Sequence, residues 1–580
     1  MIVSSSPEPS ASLAIIEFAL TVFAFAVAFL APRLGSSWFS RIERAFARLA
    51  RRPGLSVLTV GLSALLIRLA LLPLHPIPLP FLPDDFSFLF AAKTFALGRL
   101  TNPTPALWTH FETIHISMVP TYVSMYFPSQ ALVLAAGKVF FGNPWFGLLL
   151  ACALMCAAIC WMLQAWLPPS WALLGGFIAV LRLGLFSYWI NTYAGGGLIT
   201  ALGGALVLGA LPRIMKTVRL RDGLLMAIGI ILLAFTRPYE GLLLCLPVAF
   251  VLGRWALFGK NRPGPSVLIR SAAVPLALVV AAAAWMGYYD YRAFGSPLTL
   301  PYTLNRAQYA MAPYYVWQSP RPEPPYRHPA MRAFYYEVEL KYYNKIHNTS
   351  GFISYSFRKV LSLLRFYAGF ALLPPLIMLR RVLLDRRMRF LILCVLVLLA
   401  GMMIEIYMIP HYVAGYTAVF YAIGLQAMRH LRLWAPERKP VGMQLVRFTV
   451  SLCVLLALAR LLTTPLHLTV PEWPSDGWAA MWYGPELYGT ERAQIAANFE
   501  RLPGKQLILV HQSGNRDPLD QWIYNSPDID HSKVVWASDM GNLDNLQLIQ
   551  YYNNRKVWLV QMDTQPATVT PYPMPSQLTR

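Results

Sequence analysis

The residues best suited to chemistry lie in one polar interruption of an otherwise apolar chain. From Pro78 the sequence runs PLPFLPDDFSFLFAAKTFALGRLTNP, and from His110 to Leu134 it reads HFETIHISMVPTYVSMYFPSQALVL. This stretch gathers Asp84, Asp85, His110, Glu112 and His115 among prolines and aromatics. Two neighbouring carboxylates repel unless a cation or a hydrogen-bond donor lies beside them. Pro83-Asp84-Asp85 also has the composition of a helix start, with proline first and acids facing the positive end of the peptide dipoles. The same dipoles keep an aspartate ionised, as a general base or a metal ligand must be. Spacing alone leaves both readings standing: a plain helix start for a helix ending at Leu97, or an acid–base or cation-binding centre. His110, Glu112 and His115 do not have zinc-type spacing. They read as hydrogen-bonding partners for a substrate or as solvated loop residues.

A membrane must position this segment. Of the 580 residues, 56% are hydrophobic and only 13% are charged, and the mean hydropathy is +0.47. A soluble chain of this length needs far more charge to coat its surface, so the composition is that of a polytopic membrane protein. The net charge of +22 sits in short loops between apolar runs, as topology signals do, and nucleic-acid binding is excluded on that ground. Cys152, Cys156 and Cys160 lie four apart with no His or carboxylate among them, so they read as helix-packing residues.

About 20 apolar residues cross a bilayer. Twelve spans are expected: 12–32, 55–75, 145–165, 170–187, 195–211, 223–238, 241–257, 271–289, 360–379, 390–409, 413–429 and 447–466. Basic loops around Arg33–Arg52, Arg213–Arg221, Lys260–Arg270, Arg380–Arg389 and Arg429–Lys439 all fall on one, cytoplasmic, side only if Ser129–Phe141 does not cross. That short run, ending at Gly142-Asn143-Pro144, is then a helix lying on the membrane. The outer face then receives 76–144, 187–197, 237–241, 290–358, the turn at Pro410-His411-Tyr412 and the tail from Pro465. The 290–358 insertion, rich in Tyr, Pro and Arg, reads as a lid. Expected domains are a membrane domain, 1–466, and an extracytoplasmic α/β domain, 467–580. In the latter, helices over 491–502 and 542–553 alternate with strands over 506–511, 533–537 and 556–561. It has no phosphate loop or nucleophile motif, so binding or support is its expected role.

A span leading to Asp84-Asp85, a helix, and then Tyr126-Phe127-Pro128-Ser129-Gln130 resembles the GT-C superfamily of integral-membrane glycosyltransferases. That superfamily includes the polyprenyl-phosphate-sugar-dependent protein mannosyltransferases, the lipid A aminoarabinose transferases and the bacterial RgtA/B/C/D-like group. The resemblance covers roughly residues 55–466. It implies an inverting transfer of a sugar from a polyprenyl-phosphate donor to a lipid, glycan or protein acceptor outside the bacterial plasma (inner) membrane, with site and tail on the periplasmic side. The family's first outer loop carries an acid that activates the acceptor or assists a metal ion, which maps to Asp84 or Asp85. A divalent cation, Mg or Mn, is the one cofactor this admits. Two departures leave the metal and the acceptor class open: many relatives have Asp-Glu for Asp84-Asp85, and many mannosyltransferase relatives have a second-loop Asp where SYWINTYAGGG offers only Asn191.

Phosphate is already a good leaving group, so one base suffices, unlike the paired acids of glycoside hydrolysis. The departing phosphate needs a cation. Arg237, in Thr236-Arg237-Pro238-Tyr239-Glu240, is the first candidate, worth about 4 kcal/mol at 4 Å and an effective dielectric near 20. The alternative is an interfacial arginine snorkelling or paired with Glu240. Arg68, Arg182 and Arg460 lie inside apolar spans, as functional charges or as structural ties. Glu405 reads as a partner for a buried arginine. His411 is either a site residue or a hydrogen-bonded turn residue. The site set is therefore Asp84 and Asp85 as catalytic, with Arg237, Arg68, His110, Glu112, His115, Tyr126, Glu240 and His411 binding substrate. The alternative function is a transporter or lipid flippase for a glycolipid. Against it, acids gather at one membrane face and not at the midplane, and no internal repeat is evident.

Overall fold

A computed structural model describes residues 13–260, 262–463, 482–484, 487–513 and 516–573. The expected domain boundary at 466/467 lies outside them, as do the first residue of the 12–32 span and the last three of the 447–466 span. The fold is helical, with a small C-terminal sheet.

Seven described helices are long and apolar enough to cross a membrane: Leu13–Leu30, Pro53–Ala70, Trp145–Trp166, Gly197–Thr217, Pro238–Phe258, Pro265–Phe294 and Val441–Leu462. Each matches an expected span. The other five expected spans are shorter or broken elements. Leu220–Ala234 has 15 residues and Thr417–Arg432 has 16, about 22–24 Å at 1.5 Å per residue. Pro169–Ala179 ends in a π-helical turn, Val180–Gly184. Pro374–Leu384 and Arg389–Ile404 meet at 108° and form an eighth span if taken together. The break falls at Asp385–Met388, where Asp385 turns the chain by accepting from the Arg387 N–H at 2.9 Å.

Burial sorts these helices into a centre and a rim. Two-thirds of the apolar windows of Trp145–Trp166 and Gly197–Thr217 are buried, against none of that of Pro265–Phe294. Small residues let the central helices approach: a Cβ on Gly203 would lie 2.9 Å from the Gly229 carbonyl oxygen. Cys152, Cys156 and Cys160 are buried in this centre. Arg182 is paired with Glu17 at 3.5 Å, tying the first helix to the π turn. Both charges are buried, and Glu17 also accepts from the Ala371 N–H at 3.1 Å.

Pro128–Phe141, the run expected not to cross, is a 14-residue helix closed by Gly142. It turns back tightly, since a Cβ on Gly137 would lie 2.4 Å from the Gly147 nitrogen.

The tail is a four-stranded sheet in the order Val534–Ser538, Lys505–His511, Arg555–Gln561, Thr568–Pro571. The first three strands are parallel and the last antiparallel. Period-two alternation gives the sheet two faces. Ile508, Val510 and Trp536 pack with Phe499 of the helix Thr490–Arg501. Leu507, Leu509 and Val535 pack with Phe86, Phe90, Phe111 and Tyr122 of the segment 76–144. The sheet and that segment therefore share one core, reinforced by Phe86 stacked on Tyr524 at 4.3 Å.

Candidate functional site

The helix Pro83–Ala96 starts as its sequence requires, with Pro83 in the first turn, and it separates its two acids. Asp85 is fully buried and both its oxygens are occupied. Oδ2 accepts from the Phe81 and Leu82 N–H groups at 3.2 Å, closing the helix start, and Oδ1 accepts from the Tyr193 N–H at 2.7 Å. Burial pushes its carboxyl up to about 7, the three N–H bonds pull against that, and the charge of Asp84 adds to the rise.

Asp84 points the other way. Tyr126 donates its hydroxyl to Asp84 Oδ1 at 2.6 Å, and His115 Nδ1 lies 3.5 Å from Oδ2. His115 Nδ1 also lies 3.0 Å from the Tyr126 oxygen. Since the Tyr126 proton goes to Asp84, His115 carries its proton on Nδ1 and donates to both. Burial alone would raise the Asp84 carboxyl, but His115 first and then Tyr126 outweigh it and hold it at about 2. Asp84 is ionised, with 17% of its side chain exposed. His115 is aimed by its own backbone, at φ 65, and by Ser87, which donates to the His115 carbonyl at 2.7 Å. A non-glycine residue in that region is uncommon and clusters at functional sites.

Arg237 stands at the start of the helix Pro238–Phe258. Its Nη2 lies 2.6 Å from His411 Nε2, and its guanidinium lies 3.7 Å from the Tyr412 ring centroid. A guanidinium only donates, so His411 Nε2 is the acceptor and Nδ1 carries the proton, toward Tyr188 Oη at 2.7 Å. Burial, and then the charge of Arg237, keep His411 neutral, well below the usual imidazole range.

Tyr302, in the helix Pro301–Tyr309 of the long loop, packs on the first of these groups. Its ring lies 5.7 Å from that of Tyr126, and it feels the charges of both Arg237 and Asp84. An aromatic path continues through Tyr314 at 6.2 Å to Tyr407 at 6.4 Å.

The segment Tyr126–Gln130 ties the loops together. Beyond Tyr126, the Ser129 N–H donates to the Phe235 carbonyl beside the Arg237 turn, at 3.2 Å. Gln130 donates to the Tyr193 carbonyl at 2.9 Å. Gly195 and Gly196 both have positive φ, and a Cβ on Gly195 would lie 2.8 Å from the His411 ring. Only glycine fits there.

Of the expected site residues, Asp84, His115 and Tyr126 form one group and Arg237 and His411 another, with Tyr302 within electrostatic reach of both. Glu240, one turn beyond Arg237, is buried with Oε1 unpartnered. The other three are engaged elsewhere. Arg68 donates to the carbonyls of His75 and Pro76 and to Asn191 Oδ1, beneath Trp145. His110 bonds the Ser538 carbonyl of the sheet at 3.2 Å. Glu112 accepts from Tyr309 at 3.0 Å and pairs with Arg327 at 3.3 Å, anchoring the long loop on the first. Lys359 donates to the backbone carbonyl of Glu405. Tyr302, Tyr188 and the glycines of 195–197 were missed by the sequence reading. The only signals for them were the tyrosine density of the long loop and the Gly triplet.

The donor set does not fit a divalent cation. The Asp85 oxygens face N–H groups, Nδ1 of His115 carries a proton, and no cluster of three His, Cys, Asp or Glu ligands occurs among the described residues.

Fold and site together define a polytopic helical protein with an acid–arginine centre among the loops that join its helices and a docked α/β domain. No family model and no curated protein matches the chain. Solved structures do. ArnT from Cupriavidus metallidurans in the apo state is similar at 12% identity and a TM-score of 0.49, over 87% of this chain and 93% of its own. Its complex with undecaprenyl phosphate gives the same identity and TM-score, over 87% and 92%. The Archaeoglobus fulgidus oligosaccharyltransferase in complex with Zn and sulfate is similar at 11% and 0.44, over 87% and 67%. At that level of likeness the site has to be read from this chain's own residues.

Proposed function

We propose that the chain is a membrane glycosyltransferase that moves a sugar from a polyprenyl-phosphate donor to an acceptor outside the bacterial plasma membrane. One observation carries the reading: Asp84, held by Tyr126 and His115, and Arg237, held by His411 and the Tyr412 ring, both lie within electrostatic reach of one tyrosine, Tyr302. A base and a cation so placed suit a displacement in which a proton leaves on one side and a phosphate on the other.

In the reaction, the acceptor oxygen attacks the anomeric carbon as its proton passes to Asp84. The bond from that carbon to the phosphate oxygen breaks, the electron pair stays on the phosphate, and Arg237 meets the added charge. A single displacement inverts the anomeric centre. An acceptor hydroxyl that takes the place of Tyr126 on Oδ1 donates the same hydrogen bond and so lies in line to give up its proton. Asp85 fixes the helix from behind and moves no proton.

The test is release of free polyprenyl phosphate when purified protein in lipid nanodiscs meets a panel of polyprenyl-phosphate sugars and candidate acceptors. Release is expected from the wild type and not from Asp84→Asn. Equal release by both would remove the reading.

A further inference from the structure

A second concave site lies between the segments 76–144 and 290–358. It is a cavity of about 190 Å³ lined by Trp108, Glu112, Gln308, Tyr309, Tyr326 and Arg327, among others. That is below the roughly 300–1,000 Å³ of pockets for drug-sized ligands, so it takes one ring at a time. Its walls combine flat aromatic faces with convergent polar groups, so a ligand there must present an apolar face and hydroxyls together.

The unused valence decides the ligand. Gln308 donates its amide N–H to the Val119 carbonyl at 2.7 Å. A carbonyl cannot donate, so the amide orientation is fixed and Oε1 turns away. That oxygen has no partner within the chain and is closed off as the side chain stands, so a ligand's donor reaches it only as the Gln308 side chain turns toward the cavity, recovering about 1–3 kcal/mol. The neighbouring Glu112 is an acceptor as well, and the cation beside it, Arg327, is committed to it and to the Trp108 face at 5.0 Å. A phosphate or carboxylate brings only acceptors, which leaves Gln308 and Glu112 without a donor. A neutral polyol brings the missing donor.

We propose that this cavity is a pyranose-binding subsite, holding a sugar ring of a glycan acceptor. Its role as an acceptor subsite rests on the transfer reading of Asp84; the binding does not. Glu112 stands three residues before His115, at most about 10 Å of extended chain, so a glycan anchored here can present a neighbouring unit to Asp84.

The experiment uses the full chain in nanodiscs. Methyl glycosides of glucose, galactose, mannose and N-acetylglucosamine, at millimolar concentration, are tested by saturation-transfer NMR, and lipid-phosphate release is followed in parallel. At least one glycoside is expected to bind saturably, at least tenfold more weakly to Gln308→Leu and to Trp108→Phe, and equally to Asp84→Asn. No saturable glycoside binding, or binding unchanged in both cavity variants, overturns the inference. So does saturation by a Ser/Thr peptide where no glycoside saturates, which would point to a protein acceptor. Glycoside binding without lipid-phosphate release strikes the transfer reading alone, and release without glycoside binding strikes this inference alone.

Discussion

On one side of the Pro83 helix start, Asp85 has both oxygens filled by backbone N–H groups of Phe81, Leu82 and Tyr193. On the other, Asp84 meets only Tyr126 and His115, and its longer contact is 3.5 Å. The arginines repeat the contrast. Arg68 is enclosed by two carbonyls, an amide oxygen and an indole face, whereas Arg237 gives one N–H to a neutral histidine and lies over a phenol ring. Burial is common to both regions and does not tell them apart. What differs is how many hydrogen bonds within the chain hold each charge, three for Asp85 and for Arg68 against one for Arg237, and the charge held by fewer is the freer to recruit a ligand.

That contrast can be broken by substitution. The largest effect is expected from Asp84→Asn, about 10²–10⁴ in transfer rate, measured as lipid-phosphate release, with the melting temperature nearly unchanged. A melting temperature that fell as far as for Asp85→Asn would erase the distinction. Next, Arg237→Ala should cost up to about 10³ in use of the donor, the equivalent of about 4 kcal/mol for a charge 4 Å from phosphate. An unchanged donor KM would count against a phosphate role.

Gly195→Ala forces a side chain into a left-handed backbone and onto the His411 ring. About 1–3 kcal/mol of strain should appear as lower stability together with a weaker grip on the donor. A loss of stability with donor use unchanged would separate this loop from the Arg237 side.

The smallest effect is expected from Asp85→Asn, about 1–3 kcal/mol of stability as one amide replaces two acceptors. It also carries a pH signature. Because burial raises the Asp85 carboxyl to about 7, the folded chain holds a proton there that the unfolded chain has lost above the usual carboxylate range. Its stabilising share is therefore full at low pH and fades as pH rises through 7. Melting curves from pH 5 to 8 should show a flatter slope in Asp85→Asn than in the wild type.

Much of the frame was legible in the sequence. The seven full-length helices follow from apolar runs, and the Pro83 and Pro128 helices start at their prolines. The sheet's three parallel strands lie where apolar runs over 506–511, 533–537 and 556–561 place them. The fourth, Thr568–Pro571, is exposed at the edge, and TVTP has no buried face to betray it. The short and broken spans misled the length test because protein neighbours, not lipid alone, cover them. His110 and Arg68 could not be told from substrate ligands by type, since a structural tie and a binding group use the same side chains.

The sequence by itself determined that this chain lies in a membrane and that acids, imidazoles and aromatics interrupt it at one end, because hydrophobic length and charge placement are local properties. Only the tertiary structure decided which acid is free. Successive helix residues point about 100° apart, so Asp84 and Asp85 meet different neighbours. Those neighbours, Tyr126 and Tyr193, and the Arg237–His411 pair that shares Tyr302 with Asp84, come from distant parts of the chain that only packing brings together.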